Sequence, residues 1–75
     1  MSCITPGEWR ALHKNAVTAK IEKGLQKGDA VIYIHDVVLV STAREIEEEY
    51  GKRGFFMKAE YIGSTCYCFR ISGIV

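Results

Sequence analysis

Two cysteines one residue apart, Cys66 and Cys68, are the side chains of this 75-residue chain best suited to metal or redox chemistry. Together with Cys3, His13 and His35 they offer the sulfur and nitrogen ligands that a tetrahedral zinc site takes. Structural zinc sites, however, use pairs of cysteines on turns with two to four residues between them, whereas Cys66 and Cys68 have one residue between them. The chain also has no second cysteine pair. We therefore predict no metal and no other cofactor, and expect reduced cysteines that pack as small apolar residues.

Catalysis by a cysteine requires a thiolate, which a nearby histidine, helix N-terminus or cation stabilises. Arg70 follows Cys68 by two residues and shares its face of a strand, but no glycine-rich phosphate loop or second polar cluster accompanies it. His35 and Asp36 are adjacent, so they point to opposite faces of a strand or both to solvent in a turn. The sequence predicts that the protein is not an enzyme.

Basic residues are concentrated in the first 28 positions, which carry five basic and two acidic side chains. Residues 29–54 reverse this balance with three basic and six acidic side chains, and the whole chain has a net charge of +1. Such a balance gives no strong attraction to nucleic acid, and lysines near a helix C-terminus are favoured by the helix dipole alone. Nucleic-acid binding is kept as the alternative function, with these candidate residues: Arg10, Lys14, Lys20, Lys23 and Lys27.

The element that carries these basic residues is a long N-terminal helix. Thr5-Pro6-Gly7-Glu8 is a capping box with proline at the first helical position, and Gly24 is the predicted end, with an extension toward Gly28 as the alternative. The helix has two apolar patches. The first is expected to cover a sheet and the second to meet another helix or another subunit; they consist of Trp9, Leu12, Ala16 and Ala19, and of Val17 and Ile21.

Residues 31–40 are rich in β-branched side chains and predict strand structure. His35 and Asp36 interrupt this run, and both types tolerate the positive φ of a two-residue hairpin turn. We favour a hairpin there, with one long strand bulged at Asp36 as the alternative.

A second capping box, Thr42-Ala43-Arg44-Glu45, predicts a short helix that ends at Gly51 or Gly54. Its apolar stripe is Ala43, Ile46 and Tyr50. Three glutamates on the other side are expected to face solvent: Glu45, Glu48 and Glu49.

Residues 55–62 and 65–74 predict two strands around Gly63-Ser64, where glycine in the first turn position suits a type II′ hairpin. Counting outward from that turn pairs Tyr61 with Cys66 and Ala59 with Cys68.

These elements predict a single compact α+β domain over residues 1–75. Its two helices pack on an antiparallel sheet of three to four strands, in the order α-β-β-α-β-β, or α-β-α-β-β if residues 31–40 form one strand. No stretch is long and apolar enough for a membrane span, and no secretion signal precedes the domain, so we expect a cytoplasmic protein without membrane partners.

A chain of this size buries only roughly 60% of its unfolded surface, which leaves a thin core. Spare apolar surface without pocket-building residues predicts a small accessory or regulatory protein that works by protein–protein contact, as a homodimer and with an unidentified partner. Phage-type inhibitors fit this size, but no residue selects that origin. Interfaces favour aromatic centres with charged rims, which gives these candidate contact residues: Trp9, Val17, Ile21, Tyr33, Tyr61, Glu45, Glu48 and Glu49.

Overall fold

The structure, a computed structural model, describes residues 3–63 and 65–74 and has an α+β fold. Two helices pack on a three-stranded antiparallel sheet with strand order β1-β3-β2, so the predicted fold class is confirmed in its α-β-α-β-β order. The elements are α1 (Pro6–Gln26), β1 (Val31–Ile34), α2 (Val40–Lys52), β2 (Phe55–Tyr61) and β3 (Tyr67–Ile74).

The N-terminal end of α1 forms as its sequence predicts. The Glu8 amide donates to the Thr5 hydroxyl at 3.2 Å, and the Glu8 carboxylate accepts from the Thr5 amide at 3.4 Å. The predicted end at Gly24 is wrong, because the helix continues to Gln26. Its C-cap is Lys27, and Gly28, with a φ of 85°, follows that residue. Gly24 is buried instead where α1 crosses β1, and a Cβ placed on it would lie 2.6 Å from Ile32 Cγ1.

Because of this close approach, Gly24 of α1 should respond to substitution differently from Gly51 of α2. Alanine is preferred over glycine in a helix by about 1 kcal/mol, but overpacking a core contact costs about 1–3 kcal/mol. We expect Gly24→Ala to lower the free energy of unfolding in urea by about 1 kcal/mol. Gly51→Ala in α2 is the matched control, because beyond its chain neighbours and its own helix backbone no atom lies within 4 Å of the added Cβ. It should raise that free energy by about 0.5 kcal/mol. Equal effects of the two substitutions would contradict the close helix–strand approach.

The core lies between the two helices and one face of the sheet. α1 contributes its second apolar patch, since Val17 is 2% exposed and Ile21 is fully buried. The prediction that Trp9, Leu12, Ala16 and Ala19 cover the sheet is wrong, because all four are exposed. The reason is geometric: α1 approaches the sheet through Gly24, and Val17 and Ile21 share the helix face of that glycine. Among the described residues, the buried hydrophobic cluster contains Val17, Ile21, Ile32, Ile34, Val38, Ala43, Ile46, Tyr50, Met57, Tyr67 and Phe69.

Residues 35–39 form a connection rather than the predicted hairpin or bulged strand. β1 ends at Ile34, and among the described residues only glycines have positive φ, which excludes the proposed turn at His35-Asp36. The Asp36 carboxylate accepts from the Val37 amide at 2.8 Å, a local bond that competes with strand pairing. Val38 then inserts into the core, and this burial overrides the strand propensity of the segment.

The second helix begins earlier than its sequence predicts. Leu39 is the N-cap without a side-chain bond, and the expected cap Thr42 lies inside the helix, 3% exposed. The predicted stripe is confirmed, because Ala43, Ile46 and Tyr50 are all buried.

The β2–β3 hairpin forms with a register one residue away from the prediction. Tyr61 pairs with Tyr67 and Ala59 with Phe69, and the Ile62 amide donates to the Cys66 carbonyl at 3.0 Å. The paired ends are therefore separated by residues 63–65 instead of a two-residue turn, another common hairpin length. The Ser64 part of the predicted turn lies outside the described residues.

Candidate interaction surface

The outer edge of β1 carries unpaired backbone groups. In this antiparallel pair Val31 lies opposite Arg70 and Tyr33 opposite Cys68, and the Ile71 amide donates to the Ala30 carbonyl. Since hydrogen-bonded and non-hydrogen-bonded pairs alternate, residues 30, 32 and 34 direct their backbone groups toward β3. The N–H and C=O groups of Val31 and Tyr33 point away from the sheet, where no strand of the described chain pairs with them.

The opposite edge of the sheet, on β2, is occupied at its middle by a side chain of α2. The Ala59 amide, which points outward there, donates to Glu47 Oε2 of α2 at 2.8 Å. Glu47 also accepts from Arg44 at 3.0 Å, and its side chain is 18% exposed. Sequence reasoning missed this role, because Glu47 stands in a run of glutamates that all look solvated. The fold therefore protects one strand edge and leaves the other open.

A row of lysines on α1 lies beside the open edge. Lys20, Lys23 and Lys27 are spaced three and four residues apart and so lie on one helix face, and no ion pair found within residues 3–63 and 65–74 involves them. Helix and strand enclose an open groove of about 320 Å³. We call it the lysine groove; it is lined by Lys20, Lys23, Gly24, Lys27, Asp29, Val31, Ile32 and Tyr33.

Among the other charged candidates, Lys14 of α1 is paired with glutamates of α2. Lys14 bonds Glu49 at 2.7 Å and lies 3.7 Å from Glu45, and the hydrogen bond with Glu49 raises the pKa of the Lys14 ammonium. Glu48 lies 3.9 Å from Lys52. Lys14 therefore does not join the lysine row, and the acidic side of α2 is partly engaged within the chain. Arg10 is exposed near the start of α1.

The aromatic candidates are exposed but lie apart. Trp9 is 43% exposed on α1 and stacks on the His13 ring with centroids 4.8 Å apart. Tyr33 and Tyr61 are also exposed, but they lie on the two edge strands with β3 between them. Only Tyr33 borders the lysine groove. The structure places Val17 and Ile21 in the core, so these two cannot supply the surface contact expected of them.

The outward face of α1 is a continuous strip with two halves. Trp9, Leu12 and Ala16 precede the lysine row at spacings of three or four residues, so all of them lie on one side of the helix. Leu12 is 60% exposed. An apolar half is thus followed directly by a basic half, and sequence reasoning could have found this strip had it extended the first apolar patch beyond Ala19.

Cys66, just before β3, and Cys68, within it, do not form a reactive cluster. Cys68 is buried and Cys66 half-buried, and both are free thiols. Burial raises the pKa of the Cys68 thiol, so it stays protonated at neutral pH. Within the described residues, no group of three or more His, Cys, Asp or Glu side chains is placed to hold a metal ion.

A polar network fixes α1, and hence the lysine row, against α2. The Tyr50 hydroxyl donates to Glu22 Oε1 at 2.8 Å, and Arg53 also donates to that carboxylate. The hydrogen bonds from Arg53 and Tyr50 lower the pKa of Glu22. Burial raises the pKa of Tyr50 to about 12, with the bond to Glu22 acting in the same direction.

This raised pKa predicts loss of stability in alkali. A tyrosine that titrates near 10 when unfolded and about 12 when folded stabilises the protein fully below pH 10, and this contribution is lost as pH rises through 12. We expect Tyr50→Phe to cost about 1 kcal/mol at pH 7 and to reduce the fall in stability between pH 10 and 12. Urea unfolding of both proteins across this range measures the difference, with exposed Tyr33→Phe as control. An unchanged alkaline slope in Tyr50→Phe would contradict the network.

No protein-family model, curated protein or solved structure matches the chain. No helix in the described ranges is long and apolar enough to cross a membrane. Fold and surface together define a small α+β domain with one open strand edge beside a row of lysines.

Proposed function

We propose that this protein is a small non-enzymatic accessory protein that works by contact with another protein, in the cytoplasm and as a homodimer. The observation that supports this proposal is the outward face of α1, where exposed Trp9 and Leu12 continue into the lysine row. Protein interfaces combine an aromatic or aliphatic centre with a charged rim, and this strip has both parts on one rigid helix.

Self-association is the first test of this proposal. The apolar half of the strip can pair with the same half of a second copy around a two-fold axis. We expect light scattering after size exclusion to give a dimer mass that is held or strengthened in high salt, because the contact is apolar. Leu12→Glu should give a monomer, whereas Val37→Glu, at an equally exposed position outside α1, should leave the dimer intact. A monomer at every concentration would overturn the homodimer.

Nucleic-acid binding is the second candidate function, and the unpaired lysine row with exposed Tyr33 beside it favours it. Lysines can contact phosphates, and an aromatic ring can stack on a base. Such a complex weakens with salt on a log–log plot, with a slope of about −2 for three phosphate contacts to a single strand. Titration of a labelled oligonucleotide at several salt concentrations tests it, and no binding at low salt would exclude it.

A further inference from the structure

We propose that the lysine groove binds an extended acidic peptide segment of a partner protein, which adds to β1 as a fourth strand of the sheet. This inference rests on the proposed function, in that it takes the partner to be a protein. It adds the site, the backbone conformation of the bound segment and the charge of its side chains.

The backbone of β1 is arranged to accept a further strand. Val31 and Tyr33 each direct one donor and one acceptor away from the sheet, which is the pattern that an added strand needs for a ladder of four hydrogen bonds. The other edge does not offer this pattern, because Glu47 occupies the Ala59 amide. Tyr33 is 56% exposed, so its side chain is also available to contact the added segment.

The lysines of the groove favour an acidic segment by charge complementarity. Lys20 and Lys27 are separated by about 10 Å along the helix axis, at 1.5 Å per residue. Three side chains on one face of an extended strand span about 13 Å, so glutamates at alternate positions can each reach one flexible lysine. Asp29 is the single acidic residue among those lining the groove. A nucleic acid would use the lysines but would leave the backbone groups of β1 unpaired.

The probe for this proposal is a blocked heptapeptide, acetyl-Val-Glu-Val-Glu-Val-Glu-Val-amide, added to the full chain at constant ionic strength. Amide hydrogen exchange followed by NMR reports on the strand edge itself. We expect exchange at the Val31 and Tyr33 amides to slow at least tenfold at saturation. The Ile32 and Ile34 amides, which already point toward β3, should change much less.

Charge variants of the protein and a backbone variant of the peptide separate the contribution of the lysines from that of the strand edge. Lys23→Glu should weaken binding of the peptide about tenfold in a fluorescence titration. Lys58→Glu is the matched control, because Lys58 is exposed on β2 outside the groove and the substitution changes the charge by the same amount. It should leave the affinity for the peptide unchanged. A peptide N-methylated at alternate residues keeps its charges but loses donors, and it should also bind about tenfold more weakly.

Several results would overturn the proposal. Binding without slower exchange at Val31 and Tyr33 would show a charge contact without strand addition, as would equal binding of the N-methylated peptide. Concentration-dependent protection of these amides without peptide would show that a second copy occupies the edge. Binding of an oligonucleotide but no peptide would defeat the proposed function together with this inference. Loss of the homodimer alone, measured by mass, would leave peptide binding at β1 unaffected.

Discussion

Ile21→Asp is expected to unfold the protein at neutral pH. Ile21 is fully buried at the centre of the α1 contact with the core. Removing such a side chain costs about 2–5 kcal/mol, and burying a carboxyl group without partners adds about 2–7 kcal/mol. A 75-residue domain has a total stability of about 4–11 kcal/mol, at roughly 0.05–0.15 kcal/mol per residue. The substitution therefore removes most or all of it.

Ala11→Asp is the matched control for this prediction. It introduces the same carboxylate on the same helix, at an exposed position outside the apolar strip of the proposed homodimer contact. We expect its far-UV circular dichroism and urea midpoint to stay close to wild type, while Ile21→Asp loses its helical signal. A folded Ile21→Asp protein with altered mass would instead place Ile21 at a subunit interface, as the sequence alone suggests. The pair of variants thus decides which side of α1 faces the core.

The N-terminal helix shows what sequence patterns can and cannot determine. Its capping box determines the start, because the hydrogen bonds between Thr5 and Glu8 join residues only three positions apart and do not depend on the rest of the fold. Periodicity reveals two apolar patches but not which of them is buried, and that choice depends on where the helix meets the sheet. Gly24 decides it by permitting close approach to Ile32. A glycine read only as a helix stop hides this packing role.

The sheet shows the same division between local and tertiary signals. The residues of β1, β2 and β3 are recognisable as strands from their composition, and the α+β class follows from them. The β-branched run beyond Asp36 leaves the sheet because Val38 is needed in the core, which no local pattern reveals. The register of the β2–β3 hairpin differs by one residue from the predicted register because it depends on the length of the loop. Loops of two and of three residues are both common in hairpins, so the sequence does not select between them.

The candidate site was only partly predictable for a related reason. The lysines are visible in the sequence, and so is Tyr33. Their meeting in one groove depends on β1 being an edge strand, and strand order is a property of the whole fold. The covering of the other edge by Glu47 is equally non-local, since it joins α2 to Ala59 of β2. The lysines and Tyr33 are thus visible in the sequence, but their arrangement around one groove is a property of the folded chain.

Phe69→Ala is the second substitution expected to have a large effect. Phe69 is fully buried on β3, the central strand, where it lies opposite Ile32 of β1 and Ala59 of β2. Its ring also contacts Tyr67, with centroids 5.7 Å apart. Replacing a buried phenylalanine by alanine costs about 3–5 kcal/mol, because the transfer energy is lost and a cavity remains.

Removing the Phe69 ring should also disturb the lysine groove, since in the part of the chain that the structure describes β1 pairs with β3 alone. We expect Phe69→Ala to be largely unfolded or to have a urea midpoint far below wild type, whereas Phe56→Ala, at an exposed position of β2, should change stability by less than about 1 kcal/mol. In Phe69→Leu, which keeps most of the apolar volume, partial stability should return together with protection of the Ile32 and Ile34 amides. Similar unfolding curves for Phe69→Ala and Phe56→Ala would contradict the central position of β3, and with it the open edge on β1.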